Sequence, residues 1–250
     1  MKTNVRRQPK GTPIGGQFSP SLNAEATVRL DADTVGERRG LGPIPEFSDR
    51  SDEDLSEAYL YGASLCGVKF ERTRLDGSDM RATDVRGGSL LEASLDDAAL
   101  DFASLKGIDG RRASFRRTRL PDADLSTSDF GHAVFDDAEM NGSRANGAHF
   151  VGASLVRAGL SGVDWRNCDL RQVDATGADF SNAELRDVEM SHSILVGANF
   201  RGTRFLRVDV TGAELRDAIL DDAADLSGVF GEPASLPEGW VFRDGSIQRA

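Results

Sequence analysis

The chain has 250 residues, 39% of them hydrophobic and 28% charged, with 41 acids against 30 bases for a formal net charge of -11. An excess of that sign repels nucleic acid, and no apolar run approaches the ~18 residues of a membrane helix, so a chain that grips DNA along its length or spans a bilayer is excluded. Two cysteines and three histidines leave little material for a disulfide framework or a metal centre.

The first 20 residues, MKTNVRRQPKGTPIGGQFSP, carry Lys2, Arg6, Arg7 and Lys10 and no acid, with glycine and proline punctuation. Residues 1–40 read as a disordered basic N-terminal arm. The arm lacks the apolar stretch of a secretory signal, which points to cytoplasmic residence. Residues 41–53 are expected to form an N-terminal cap in which Ile44 and Phe47, set among prolines, cover the open end of the periodic segment beginning at 54.

Residues 54–225 are expected to form one repeat domain, in which a large apolar residue falls on nearly every fifth position as far as Leu220. Stepping from Leu55 to Leu220, 31 of 34 such centres are Leu, Phe, Met, Val or Trp, the exceptions being Gly110, Ala145 and Ala175. Two residues before each centre, from Ala58 to Ala218, stands a small or β-branched residue, Ala in 17 of 33 cases. A period of five fits neither an α-helix nor a flat strand. It fits a chain that turns a corner every five residues, with the centre and the position two before it pointing at a common axis. Four corners close a coil of twenty residues, and coils stack at about the 4.8 Å strand spacing.

This A-D-L-x-x pattern resembles the pentapeptide-repeat family, over about two thirds of the chain. The resemblance implies an all-β fold, a right-handed quadrilateral β-helix, here with short terminal caps. Stacking by twenty sets Trp165 one coil from Ala145, and Gly110 between Leu90 and Phe130, as volume-compensated neighbours in a narrow core. Gly62, Gly67, Gly77, Gly107, Gly142, Gly147 and Gly162, two residues past their centres, suit corners. Cys168 points inward and Cys66 outward about five coils away, so they cannot form a disulfide with each other.

Residues 226–250 lose the phase and read as a C-terminal cap with a short hairpin, Trp240 to Phe242 and Ser246 to Gln248 about an Asp244-Gly245 turn. Phe230, Trp240 and Phe242 are candidates for the cap itself or for a contact between two copies; the resembled gyrase inhibitors dimerise through that end.

No constellation for catalysis stands out. His132 and His192 share a face but lie three coils apart, roughly 14 Å, and a filled core leaves no cavity for a substrate, so a non-catalytic protein with no cofactor and no metal is expected. Residues 51–230 hold 32 acids and 20 bases, against a net +2 for the first fifty. One outward column, the position before the centre, reads Lys69, Ser89, Asp109, Asp129, His149, Asp169, Glu189, Asp209. Its five carboxylates repel one another at strand spacing and gain nothing for stability, so the ladder is either tolerated because water screens it or kept because a basic partner needs it; on the second reading Asp109, Asp129, Asp169, Glu189 and Asp209 are the candidate partner-binding residues. A rod of about nine coils, roughly 40 Å, matches about a dozen base pairs of duplex.

The family resemblance extends this. Gyrase-protecting pentapeptide-repeat proteins associated with quinolone resistance act as DNA mimics in the saddle of type II topoisomerase, which implies DNA gyrase as the partner; the coil here lacks the interrupting loops of the plasmid-borne branch and compares better with the uninterrupted mycobacterial type. The alternative is a scaffold or interaction module with some other protein partner. A basic belt, Lys106, Arg111, Arg112, Arg116, Arg117 and Arg119, interrupts the acidity and is expected to pair with acids such as Asp96, Asp97, Asp136 and Asp137. Val134, Val156, Ile194 and Val196, with Tyr59 and Tyr61, suggest a loose apolar strip.

Overall fold

The computed structural model describes residues 44–220, 226 and 228–250; the expected arm, 1–40, and the start of the expected cap lie outside the described residues. The chain forms a right-handed quadrilateral β-helix. Parallel bridges join residues twenty apart from Asp49↔Lys69 through Asn199↔Ile219, always at the position before the centre. Most coils hold single bridges on each face. Longer strands appear only toward the C-terminal end, where β1 (Asp164–Arg166), β2 (Glu184–Glu189), β3 (Arg204–Asp209) and β4 (Val229–Phe230) make a four-stranded parallel sheet.

Corners explain the period. The carbonyl of most centres accepts from the N–H three residues on, as in Ala58 N→Leu55 O at 3.1 Å, closing a tight turn. Within that turn the residue two past the centre takes a positive φ at every step from Phe47 to Asp217; 13 of these residues are glycine and 22 are not. Glycine is therefore favoured there but not demanded. The N–H groups that leave the turn are met by the next coil, as in Leu55 N→Arg74 O (2.7 Å) and Glu57 N→Asp76 O (2.8 Å), so the strain of each corner is offset by a saturated backbone ladder.

Inward positions fill the bore. Every centre from Leu55 to Leu220 is buried, and so is every residue two before a centre from Ala58 to Ala218 except Gly88. An aromatic spine runs down the middle: Phe115 stacks on Phe135 with centroids 4.6 Å apart, Phe130 meets Phe150 at 5.0 Å, and Phe150 meets Trp165 edge-on at 5.2 Å. Trp165 and Ala145 are both fully buried. A Cβ on Gly110 would come within 2.7 Å of two Phe130 ring carbons, so the ring occupies the space the glycine leaves. Most inward hydroxyls return to the backbone, as in Thr118 Oγ1→Leu95 O (2.8 Å) and Thr203 Oγ1→Phe180 O (2.7 Å).

Both ends depart from expectation. Residues 44–53, read as part of a cap, already run as coil: Asp49 bridges Lys69, and Phe47 and Asp52 sit at corners. Ile44 alone enters the core, while Phe47 is 78% exposed and leans over Gly67. Its number is in phase with the corner position, so it points outward. At the other end stacking persists past the loss of phase, with one extra residue: Val208 pairs with Val229, Asp209 with Phe230, and Glu214 with Ser235.

The antiparallel hairpin β5 (Trp240–Arg243) and β6 (Ser246–Arg249) then folds under the last coil. Ile247, absent from the expected contacts, is the hairpin residue buried against the core end, beside Leu220, Leu226 and Val229. Trp240 and Phe242 pack partly against the core, and Phe230 stays 49% exposed.

Candidate functional site: the acidic column and its arginines

The five candidate carboxylates do share one column. Bridges run Asp109↔Asp129, Asp129↔His149 and His149↔Asp169, then Asp169↔Glu189 and, between β2 and β3, Glu189↔Asp209. Each coil therefore presents one of these side chains outward at strand spacing on a sheet wall whose other side is the closed core.

The column is not bare. Arg111 forms a two-pronged pair with Asp109 (Nη2–Oδ2 2.7 Å) and reaches to 3.9 Å from Asp129. Arg171 does the same to Asp169 (2.6 Å) and meets Glu189 at 3.2 Å. Arg111 holds the Asp109 carboxyl below its usual range. Partial burial pushes the Asp169 carboxyl up, but the hydrogen bonds from Arg171 more than reverse this and it too lies low. Asp129 accepts the Gly131 N–H (2.9 Å) and Asp209 accepts from Thr211 N (2.9 Å) and Thr211 Oγ1 (2.5 Å). Three of the five carboxylates are thus within 3.2 Å of a guanidinium, and Asp129 and Asp209 are the less engaged two.

Sequence reasoning missed Arg111 and Arg171 as members of the site. The signal was present as Asp-x-Arg, which puts the two side chains on either side of one centre; Asp79–Arg81 (2.7 Å) and Asp84–Arg86 (2.6 Å) repeat it. A second pattern joins corners twenty residues apart: Asp52–Arg72, Asp97–Arg117 and Asp137–Arg157, each at 2.7 Å, and Asp187–Arg207. The five arginines of the expected basic belt enter such pairs. Arg112 meets Glu92 (3.3 Å), Arg119 meets Asp101 (2.9 Å) and Arg116 stands 3.9 Å from Asp136.

Counted by face over eight coils, the wall with the column (centres Phe70 to Val210) carries seven acids and five bases, while the adjacent wall (centres Leu65 to Phe205) carries five acids and seven bases. Negative charge is therefore unevenly distributed around the rod, and one wall is net basic.

The apolar strip is discontinuous: Ser154 and Asp174 stand between Val134 and Ile194 in the ladder. Both cysteines are free, Cys168 buried and Cys66 half-buried. Among the described residues no group of three or more His, Cys, Asp or Glu is placed to hold a metal ion, and no helix is long and apolar enough to cross a membrane.

A shallow hollow of about 590 Å³ opens in the column's wall around Gly131, bordered by Arg111, His132, His149 and Arg171. The hollow is open to solvent and combines carboxylates, guanidiniums and two imidazoles within one wall.

Comparison with known protein families agrees with the repeat. Residues 54–90, 93–131, 153–191 and 183–222 match pentapeptide repeats, in 8 copies. HetL, a pentapeptide repeat protein involved in heterocyst differentiation regulation in the cyanobacterium Nostoc sp. strain PCC 7120, is 24% identical, with 85% of this chain and 94% of that one covered and a TM-score of 0.32. QnrB1, a plasmid-mediated fluoroquinolone resistance protein, is 20% identical over 73% of this chain and 88% of its own, with a TM-score of 0.42. A pentapeptide repeat protein of the Arabidopsis thaliana thylakoid lumen is 27% identical over 47% and 71%, with a TM-score of 0.29. No curated protein matches in sequence. With the repeat matched over more than half of its length and the coil closed every twenty residues, the chain belongs to the pentapeptide-repeat family.

Proposed function

We propose that this chain is a non-catalytic interaction protein that offers its acidic column to the basic DNA-binding surface of a type II topoisomerase, DNA gyrase in particular, and so modulates the enzyme or shields it from inhibitors. The observation that carries the reading is the twenty-residue register, which lines Asp109, Asp129, Asp169, Glu189 and Asp209 along one wall. The rod is roughly 40 Å long, about a dozen base pairs of duplex, and the net charge of -11 favours a basic protein surface over nucleic acid. Because Arg111 and Arg171 occupy Asp109, Asp169 and Glu189, recognition falls first on Asp129 and Asp209. Pairing of two copies through the C-terminal end, where Phe230 stands exposed, belongs to the same reading, as does residence in the cytoplasm.

A second reading is a scaffold for a different protein partner. The dense Arg–Asp pairing favours it, since acids engaged within the rod are less free to imitate phosphates.

Capture from nuclease-treated bacterial lysate, with the full chain as bait and Asp129→Lys/Asp169→Lys/Glu189→Lys as control, separates the two. Gyrase subunits held by the wild type and released by the variant are expected. Gyrase held equally by both, or a different enriched protein, overturns the topoisomerase reading.

A further inference from the structure

The hollow around Gly131 opens where one outward side chain is missing from its column. Its column, one past the centre, reads Leu91, Arg111, Gly131, Val151, Arg171, one residue per coil. Gly131 is not among the residues with positive φ, so the backbone does not ask for glycine there. Packing asks for little: a Cβ would meet Asp129 Oδ1 at 3.2 Å, which a small shift of that side chain relieves, and nothing else closer than 3.8 Å. What the glycine achieves is a missing side chain between Arg111 and Val151, with Arg171 one coil further on. Beside it, Gly152 lets the His132 ring lie flat against the wall, since a Cβ there would come within 2.7 Å of Nδ1.

The charges around the opening decide what enters it. Arg111, Arg112 and Arg171 each already have a carboxylate, Asp109 at 2.7 Å, Glu92 at 3.3 Å and Asp169 at 2.6 Å. Asp129 is the one lining carboxylate without such a partner. Its side chain is 48% exposed, with the nearest guanidinium 3.9 Å away, and one oxygen accepts only the Gly131 N–H. An anion entering the hollow meets guanidiniums that are engaged and an open carboxylate that repels it. A cation meets that carboxylate, two imidazoles with lone pairs or ring faces to offer, and the long-range field of an acidic protein.

We propose that the hollow centred on Gly131 receives a basic side chain, guanidinium or ammonium, from the partner protein, with Asp129 taking its charge and His132 and His149 flanking it. This rests on the reading that the partner surface is basic, and it sharpens that reading: one arginine or lysine of the partner is seated in a pocket, where the rest of the column makes exposed contacts. A seated charge is the kind of anchor that sets the register of an otherwise repetitive wall.

The test uses the full chain with N-acetyl-arginine amide and N-acetyl-lysine amide as probes and N-acetyl-glutamate amide as control, tracked by amide and imidazole NMR shifts. Saturable shifts centred on Gly131, Val151 and His149 are expected with the cationic probes and not with the glutamate probe. Asp129→Asn is expected to weaken binding by about tenfold, the scale of one charged hydrogen bond, and Gly131→Leu to abolish it with the thermal midpoint kept. Shifts spread evenly over all acids, binding of the glutamate probe at this place, or unaltered binding by Asp129→Asn would overturn the proposal. Should Gly131→Leu fail to fold, Asp129→Asn, which alters no packing, decides alone. The assay contains no topoisomerase, so probe binding without gyrase capture refutes the proposed function and spares the hollow, and the reverse result refutes the hollow alone.

Discussion

Replacing Gly110 by alanine puts one methyl group where the coil has no room for it. The new Cβ would lie 2.7 Å from both Phe130 Cδ1 and Phe130 Cε1, well inside any contact real side chains tolerate. The ring cannot simply tilt away. It is edge-on to Phe115 (5.7 Å, 80°) and to Phe135 (5.3 Å, 81°), and it stacks on Phe150 (5.0 Å, 29°), so any rotation is handed to three further rings. Overpacking of this kind is worth about 1–3 kcal/mol of destabilisation. At the size of this domain that lowers the thermal midpoint by roughly 2–12 °C. Phe130→Leu alone destabilises by leaving a cavity, but combined with Gly110→Ala it removes the ring that clashes. A double-mutant cycle by chemical denaturation should therefore show a favourable coupling of about 1 kcal/mol or more. Strict additivity, or a Gly110→Ala variant within about 0.5 kcal/mol of wild type, would refute the claim that volume is matched coil against coil.

Three more outcomes concern other parts of the rod. Ile247→Ala should destabilise by about 2–5 kcal/mol, because Ile247 closes the C-terminal end of the core, whereas Phe230→Ala should change the midpoint little; equal effects in denaturant melts would contradict the assignment of the cap. Hydrogen bonds from Arg117, Arg157 and Arg207 hold the Asp97, Asp137 and Asp187 carboxyls below their usual range. Groups lowered on folding add stability above their unfolded value, about 4, and lose it as pH falls through the folded one. Thermal stability should thus be flat near neutrality and drop in acid, and the drop should be shallower in the triple Asn variant; superimposable curves would sink this. Burial pushes the Cys168 thiol up to about 12 and its Sγ donates to Ala145 O at 2.9 Å, so alkylation should reach Cys66 first and Cys168 only on unfolding, as mass spectrometry would show.

Much of the fold was legible because the rule that builds it is local. Each corner closes between a centre and the residue three later, so the outward or inward direction of a side chain depends only on its phase, and a constant coil of twenty turns phase into neighbourhood. Trp165 over Ala145 and Phe130 over Gly110 can be read that way. The arginine pairs could be read the same way, Asp109 to Arg111 within a coil and Asp97 to Arg117 between coils, but a reading by columns of one position separates acids from the bases on either side of the same centre.

The ends obey a different logic. Phe47 looked like a plug by its hydrophobicity, yet its phase is that of a corner and it points to water. Ile247 lies in a hairpin with no repeat to give its direction, and only its three-dimensional docking brings it under the last coil. The hollow escaped notice for a related reason, since an absent side chain at Gly131 has meaning only once Arg111 and Val151 are known to stand on either side of it, with Arg171 one coil beyond.

Displacement of a fluorescent duplex from purified DNA gyrase tests the central claim most directly. The full chain should release the duplex in a saturable, salt-sensitive manner, and Asp129→Lys/Asp169→Lys/Glu189→Lys, with an unchanged circular dichroism spectrum, should not. A wild-type chain that leaves the duplex bound, or a charge-reversed chain that displaces it equally well, would contradict the account.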